Sequence, residues 1–175
     1  EGAIMGTRCG DVDPGAILFL MKREGLGPAQ MEEILNKKSG LLGITGKYVD
    51  RRDILEAARK GDRRAKLAIE MECYRLKKYL GAYLAVLGRV DAIVFTAGVG
   101  ENSPIHRLKI CEGLEHLGIR IDPIKNKHAI GGREMEISTN NSHIKVFVIP
   151  TNENLVCAEE VMRVLKQRRY KYNKQ

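Results

Sequence analysis

Residues 90–102 read VDAIVFTAGVGEN. The run from Val90 to Phe95 is short, apolar and β-branched at several positions, which predicts a strand covered on both faces. The glycines of AGVGEN then predict a turn that leads into a helix from about residue 103 to 117. A buried strand followed by a glycine turn and a helix is typical of an α/β domain.

The segments before this stretch are predicted to be mostly helical. Asp13 caps a first helix, which begins at Pro14 and ends at Gly25, and residues 28–38 form a second helix. Residues 41–49, LLGITGKYV, are rich in glycine and lack helical periodicity. We therefore expect a loop there.

Two aspartates open the helices that follow this loop. Asp50 is predicted to cap a helix over residues 51–60, and Asp62 to cap a long amphipathic helix that forms the main core. Beyond the central stretch, the apolar run at 144–149 predicts a strand and residues 152–166 a final helix. The order of elements indicates a single α/β domain over residues 1–175.

Composition limits the class of protein. The chain has 175 residues, 43% of them hydrophobic, which suffices for one compact core. Its four cysteines are widely spaced without a CxxC pair, as expected for reduced thiols in a cytoplasmic protein. We find neither an apolar run long enough for a membrane span nor a signal peptide, and a start at Glu1 favours a piece of a longer protein.

The net charge of +8 leaves a nucleic-acid or membrane-surface binder open as an alternative. Basic residues are mixed with acidic ones along the helical segments, and the dense basic run begins at Lys166, KQRRYKYNKQ. This distribution favours a solvated basic tail over about 166–175 and argues against a nucleic-acid or membrane partner.

Two glycine-containing motifs are candidates for phosphate chemistry. In AGVGEN, glycines after a strand allow the backbone to approach a nucleotide, although Glu101 disfavours a phosphate directly there and a turn that binds nothing is an alternative. In MGTRCGDVDPG, Arg8 is placed to stabilise charge on a transferring phosphoryl group. The alternative is that Arg8 pairs with Asp11 or Asp13 at the surface.

Two further motifs lie at helix starts. In IPTNEN, Glu153 is a candidate magnesium ligand, or else part of an ordinary helix start capped by Thr151 or Asn152. In VDRRDI, Arg51 and Arg52 are placed to stack on a base or meet a phosphate, or else to lie on a solvated helix face. The histidines form no pattern of metal ligands.

Taken together, these segments resemble the acetate kinase family. The matching strings are MGTRCGDVDPG, LNKKSGLLGITG, DRRDI, the region from RAKLAIEMECYR through FTAGVGEN, ICEGLEHLGI and VIPTNEN, and they cover the chain to about residue 165. The resemblance implies the fold of the acetate and sugar kinase, Hsp70 and actin superfamily, with a ribonuclease H-like core. It also implies that this chain is the nucleotide-binding C-terminal half.

The resemblance further implies an activity. Family members transfer a phosphoryl group reversibly from ATP to acetate, giving acetyl phosphate and ADP with Mg²⁺, and they form homodimers. The N-terminal half supplies a metal-site asparagine, a catalytic histidine and aspartate, and a glycine-rich phosphate loop, which are missing here. We therefore expect this chain alone to turn over little or not at all. Propionate or butyrate kinase and a non-catalytic interaction module are the alternatives.

The resemblance also assigns residues. Arg8 resembles the arginine that contacts the phosphoryl group and the acceptor carboxylate, and Glu153 matches the magnesium-binding glutamate. The nucleotide-binding positions are Asp50, Arg51, Arg52, Gly98, Val99, Gly100, Glu101 and Asn102. The chain departs from the family pattern at Cys9, Arg51 and Asn154, where serine, an apolar residue and glutamate are usual.

Overall fold

The computed structural model describes residues 2–172, with side chains as far as residue 165. Its helices are α1 (Pro14–Glu24), α2 (Pro28–Lys37), α3 (Gly40–Thr45), α4 (Arg51–Arg59), α5 (Arg63–Leu87), α6 (Ala97–Asn102), α7 (Pro104–Cys111), α8 (Pro123–His128) and α9 (Glu153–Tyr172). Its strands are β1 (Ala92–Phe95), β2 (Met135–Glu136) and β3 (Lys145–Val148). The predicted basic tail at 166–175 lies outside the described side chains.

The strands form one mixed sheet in the order β1-β3-β2. β1 runs parallel to β3, with Ala92 opposite Lys145 and Phe95 opposite Val148, and β2 is antiparallel to β3. The central strand is the buried one, since Val146 and Val148 are almost fully enclosed. Two parallel strands beside each other place the two segments that follow them, α6 and α9, at the same edge of the sheet.

The prediction that β1 is covered on both faces is wrong. Its residues alternate between exposed and half-buried, and Val94 keeps 49% of its surface exposed. β1 is an edge strand, and within residues 2–172 no strand pairs with its outer side. An apolar sequence therefore forms a strand here, but the described chain does not supply the cover that such a strand needs.

The core is organised around the first half of α5. Ala65, Ala68, Ile69 and Cys73 are buried there, where α3, α4 and α7 pack on the helix. This confirms α5 as the main core helix. Its second half is much less covered.

The predicted helix starts are confirmed. The Asp13 carboxylate accepts from the Ala16 amide at α1, and Asp50 accepts from the Arg52 amide at α4. Asp62 accepts from the Arg64 and Ala65 amides at α5. In each case the carboxylate satisfies amides that have no partner within the helix, so the start is fixed by local chemistry.

The prediction of a loop at residues 41–49 is wrong for residues 41–45, which belong to α3. Leu41 is 1% exposed in the core, and the Thr45 hydroxyl donates to the Leu41 carbonyl oxygen at 2.8 Å. Burial of Leu41 thus outweighs the low helix propensity of a glycine-rich segment. Gly46, at a φ of 78°, ends the helix.

The turn predicted at AGVGEN is also wrong in detail, because these residues form the short helix α6. The helix predicted from 103 to 117 is shorter, since α7 ends at Cys111 and a 3-10 turn covers 115–117. Gly113, at a φ of 79°, lies between them in a conformation that no α-helix continues.

The four cysteines are free thiols, as predicted. Burial raises the pKa of both Cys73 and Cys111 to about 12, so these two stay protonated at neutral pH. Among the described helices, none is at once long enough and apolar enough to cross a membrane.

Candidate functional site

An open groove of about 520 Å³ lies between the start of α4 and the short helix α6. It brings together VDRRDI and AGVGEN, which are more than forty residues apart in sequence. Its lining residues are Val49, Asp50, Arg51, Arg52, Leu55, Gly98, Val99, Asn102 and Ser103. Six of the eight predicted nucleotide-binding residues thus meet at one place. Gly100 and Glu101 do not line it.

Asp50 and Arg52 form a charged pair on the rim of the groove. The Arg52 Nη2 atom donates to Asp50 Oδ2 at 2.6 Å, and the Arg52 amide donates to Asp50 Oδ1 at 2.8 Å. These contacts lower the pKa of Asp50 to about 2, and the side-chain hydrogen bond has the largest effect. The Arg52 side chain is 89% exposed, so its guanidinium is free to reorganise around a ligand.

Arg51 makes a different contact. Its Nη2 and Nε atoms lie 2.6 Å and 2.8 Å from Oε1 of Glu72, a carboxylate on α5 that is 4% exposed. Burial raises the pKa of Glu72, but the contacts with His106 and Arg51 outweigh burial and leave this pKa below its usual value. The Arg51 charge is therefore balanced inside the protein and not offered freely to the groove.

The AGVGEN segment is held in an unusual backbone path. Ala97 has a φ of 58°, a left-handed conformation that is costly for a residue with a side chain. A Cβ at Gly100 would lie 3.2 Å from the Phe95 carbonyl carbon, which leaves little room for a larger residue. The Asn102 side chain, at the end of α6, donates to the Gly98 carbonyl oxygen and accepts from the Gly131 amide, both at 3.2 Å.

Arg107 holds the AGVGEN backbone in place through hydrogen bonds from the core. This role was not predicted from the sequence. Its side chain is fully buried, and Nη1 donates to the carbonyl oxygens of Gly100 at 2.7 Å and Glu101 at 3.0 Å. Nε and Nη2 donate to Asn126, and Nη2 also donates to the Ala129 carbonyl oxygen. Burial lowers the pKa of Arg107 to about 10, which still leaves it charged at neutral pH. The sequence signal for this role was an arginine on the same face of α7 as the apolar residues Ile110 and Cys111.

Glu101 connects the AGVGEN turn to the segment after β3. Its Oε1 atom accepts from the Thr151 amide at 2.9 Å and from the Thr151 hydroxyl at 3.1 Å. These hydrogen bonds, that from the amide first, lower the pKa of Glu101. The contact places the predicted magnesium residue, Glu153, two positions from a residue that touches the turn.

Glu153 is exposed as the first residue of α9, and the Asn152 side chain accepts from the Leu155 amide, as the capping alternative predicted. Within the described part of the chain, no three His, Cys, Asp or Glu side chains gather at a metal-ligand spacing. Glu153 therefore offers one carboxylate, and a metal there needs further oxygen ligands from a substrate, water or another protein segment.

Arg8 does not line the groove. Its exposed side chain donates from Nε to the Asn36 side-chain oxygen at 3.3 Å. The predicted alternatives for Arg8 are wrong: Asp11 binds the Tyr79 hydroxyl and Asp13 caps α1. The loop around Arg8 is nevertheless tightly set, since a Cβ at Gly40 would lie 2.2 Å from the Met5 carbonyl oxygen.

Comparison with known proteins gives a consistent family assignment. The model of the acetokinase family matches residues 1–159. An acetate kinase of Dictyoglomus thermophilum is 58% identical over 165 residues, which are 94% of this chain and 41% of that protein. The chain thus spans about two fifths of the length of such relatives.

Solved structures agree with this assignment. A Porphyromonas gingivalis acetate kinase superposes with a TM-score of 0.87 at 48% identity, over 94% of this chain and 41% of the other. A Francisella tularensis propionate kinase gives a TM-score of 0.80 at 40% identity, over 87% of this chain and 38% of the other. The mixed α/β fold is that of the acetate and sugar kinase, Hsp70 and actin superfamily.

Proposed function

Since this chain belongs to the acetokinase family, we propose that it is the nucleotide-binding C-terminal part of an acetate kinase. The complete enzyme would transfer a phosphoryl group reversibly from ATP to acetate, giving acetyl phosphate and ADP. The observation that carries this proposal is the single groove at which the DRR triplet and the GVGEN segment meet. Two motifs so far apart in sequence have no structural need to share an open groove.

The charges of the groove favour the nucleoside end of the nucleotide. Arg51 is balanced by Glu72 and Arg52 by Asp50, so neither guanidinium is left as an unpaired cation that would attract a phosphate. Val49 and Leu55 add apolar surface, and the exposed Arg52 guanidinium is suited to stack on a purine. This chemistry supports adenosine binding in the groove.

Phosphoryl transfer itself is assigned to residues outside the groove. Mg²⁺ usually keeps several waters and takes one or two carboxylates together with phosphate oxygens, so a single exposed Glu153 fits its needs. The bound ion would neutralise charge on the transferring phosphoryl group. Arg8 would add a second positive charge there, because such catalysis consists largely of positioning and electrostatic stabilisation.

The chain alone is proposed to lack turnover. It spans 41% of the relative from Dictyoglomus thermophilum, and the remaining portion would carry the acceptor pocket and further catalytic residues. The open side of β1 is the part of the sheet that such a portion would extend. We place the complete enzyme in the cytoplasm as a homodimer. Its acceptor could also be propionate, since a propionate kinase shares the fold.

Calorimetric titration of the chain with ADP and ATP, each with and without Mg²⁺, tests nucleotide binding. Arg52→Ala should weaken saturable binding roughly tenfold because it removes the stacking guanidinium. Arg89→Ala is a matched control, since Arg89 is also exposed and pairs with an aspartate two residues away. A wild-type chain that binds no nucleotide at millimolar concentration would contradict a preformed site.

Activity and acceptor choice need a second measurement. The chain should form no acetyl phosphate from ATP and acetate, whereas the chain combined with the remaining part of a relative should form it. Rates with acetate and propionate in that combination would decide the acceptor. Turnover by the chain alone at the rate of a complete enzyme would contradict the proposed division of roles.

A further inference from the structure

A polar chain of four side chains crosses the core behind the groove. Arg51 at the start of α4 bonds Oε1 of Glu72 on α5, and Oε2 of the same carboxylate lies 3.3 Å from His106 Nε2 on α7. His106 Nδ1 lies 2.6 Å from the Ser103 hydroxyl oxygen. The chain begins and ends at the groove, because Arg51 and Ser103 both line it.

The burial of this chain needs an explanation. Glu72 is 4% exposed and His106 2% exposed, among the apolar residues of the main core helix and α7. A buried carboxylate is costly unless several partners satisfy it, and apolar residues in these places would give an ordinary core. His106 Nε2 has no hydrogen-bond partner within the described residues, although it faces the carboxylate at ion-pair distance. Stability alone is a weak reason for such an arrangement.

Position gives a better reason. Arg51 belongs to the wall of the groove formed by α4, and Ser103 directly follows AGVGEN in the opposite wall. Glu72 joins the two walls, because its carboxylate contacts Arg51 on one side and His106, which contacts Ser103, on the other. We infer that Glu72 is a positioning residue that sets the separation of the two groove walls and thereby its fit to a nucleoside. The identity of the ligand rests on the proposed function, whereas the positioning does not.

The test compares Glu72→Gln with Glu70→Gln, a matched control at an exposed position of the same helix. Glu72→Gln should weaken ADP binding roughly tenfold, while Glu70→Gln leaves it unchanged. Hydrogen exchange should become faster at the amides of residues 98–103 in Glu72→Gln only. Wild-type affinity together with wild-type exchange in a folded Glu72→Gln chain would overturn the inference.

A second variant separates positioning from general destabilisation. His106→Leu keeps the pair of Arg51 with Glu72 but breaks the arm to Ser103, and it should weaken ADP binding as Glu72→Gln does. The two changes combined should cost little more than either alone, since both break one chain. Additive losses would contradict a shared role. If the wild-type chain bound no nucleotide, the proposed function would fail, and hydrogen exchange at 98–103 would still decide the positioning.

Discussion

The two halves of α5 differ although they belong to one helix. In the first half, Ala65, Ala68 and Ile69 are buried beneath α3, α4 and α7. In the second half, Val86 is 81% exposed and Leu87 65% exposed. Both halves carry apolar side chains, so the difference lies in what covers them. The first half is a finished core, whereas the second is a surface that residues 2–172 cover only in part.

The same division runs through the sheet. Val146 and Val148 of β3 are buried, whereas β1 beside it alternates between exposed and half-buried residues. Glu72 and Arg107 are almost fully enclosed on the closed side, whereas the AGVGEN wall of the groove directly follows β1. A proposed nucleotide site that rests on a finished core can form in this chain alone, while the open side depends on another protein segment.

The largest effect is expected from Arg107→Met on the closed side. The change leaves the carbonyl oxygens of Gly100, Glu101 and Ala129 without their buried donor. We expect the free energy of unfolding in urea to fall by about 4 kcal/mol. Arg89→Met, at an 88% exposed side chain, should change it by less than about 0.5 kcal/mol. Equal effects would mean that burial of Arg107 carries no energetic weight.

A matched pair within α5 tests the comparison directly. Ile69→Ala should lower the free energy of unfolding by about 3 kcal/mol, because it opens a cavity in the closed half. Leu87→Ala should lower it by less than about 0.5 kcal/mol, since its side chain is already in water. Urea titrations of both variants provide the measurement. A large loss for Leu87→Ala would show that the open half is covered in solution.

The pH dependence of stability tests the buried carboxylate. The pKa of Glu72 is lowered in the folded chain, so its stabilising contribution is present above the unfolded value of about 4.5. That contribution is lost as the pH falls through the lower folded pKa. Glu72→Gln should therefore cost about 2 kcal/mol at pH 7 and progressively less below pH 4.5. A difference from wild type that is constant from pH 7 to pH 3 would contradict a charged Glu72.

The smallest effect is expected at a helix start. Asp62→Ala removes a cap that accepts from two amides of α5, and it should cost about 1 kcal/mol. Asp53→Ala is the control, since this exposed aspartate lies in the first turn of α4 but does not cap it. Thermal unfolding of both variants would show the difference. Equal midpoints would mean that the cap does not stabilise the closed half.

The sequence predicted the helix starts well and the packing less well. Asp13, Asp50 and Asp62 cap the helices for which they were proposed, because a cap depends on residues two or three positions away. α3 was missed, since its stability comes from burying Leu41 in a core that local propensity does not describe.

Much of the candidate site was also predictable. The glycine and arginine motifs that line the groove are recognisable as strings, so the resemblance indicated them. The residues behind the groove were not, because Glu72 looks like any charged position of a long helix until its neighbours are known. His106 and Arg107 lie on α7, and their partners Glu72 on α5 and Asn126 on α8 come from other parts of the sequence. Such contacts depend on tertiary structure alone.

The two buried thiols can report how often the core opens. A thiol reagent can modify Cys157 at once, since it is exposed, whereas Cys73 and Cys111 react only when the core around them opens. The labelling rate of those two cysteines therefore measures how often α5 and α7 separate. The measurement uses the unmodified sequence. A ligand that binds only when the core is intact would lower the labelling rate as its occupancy rises.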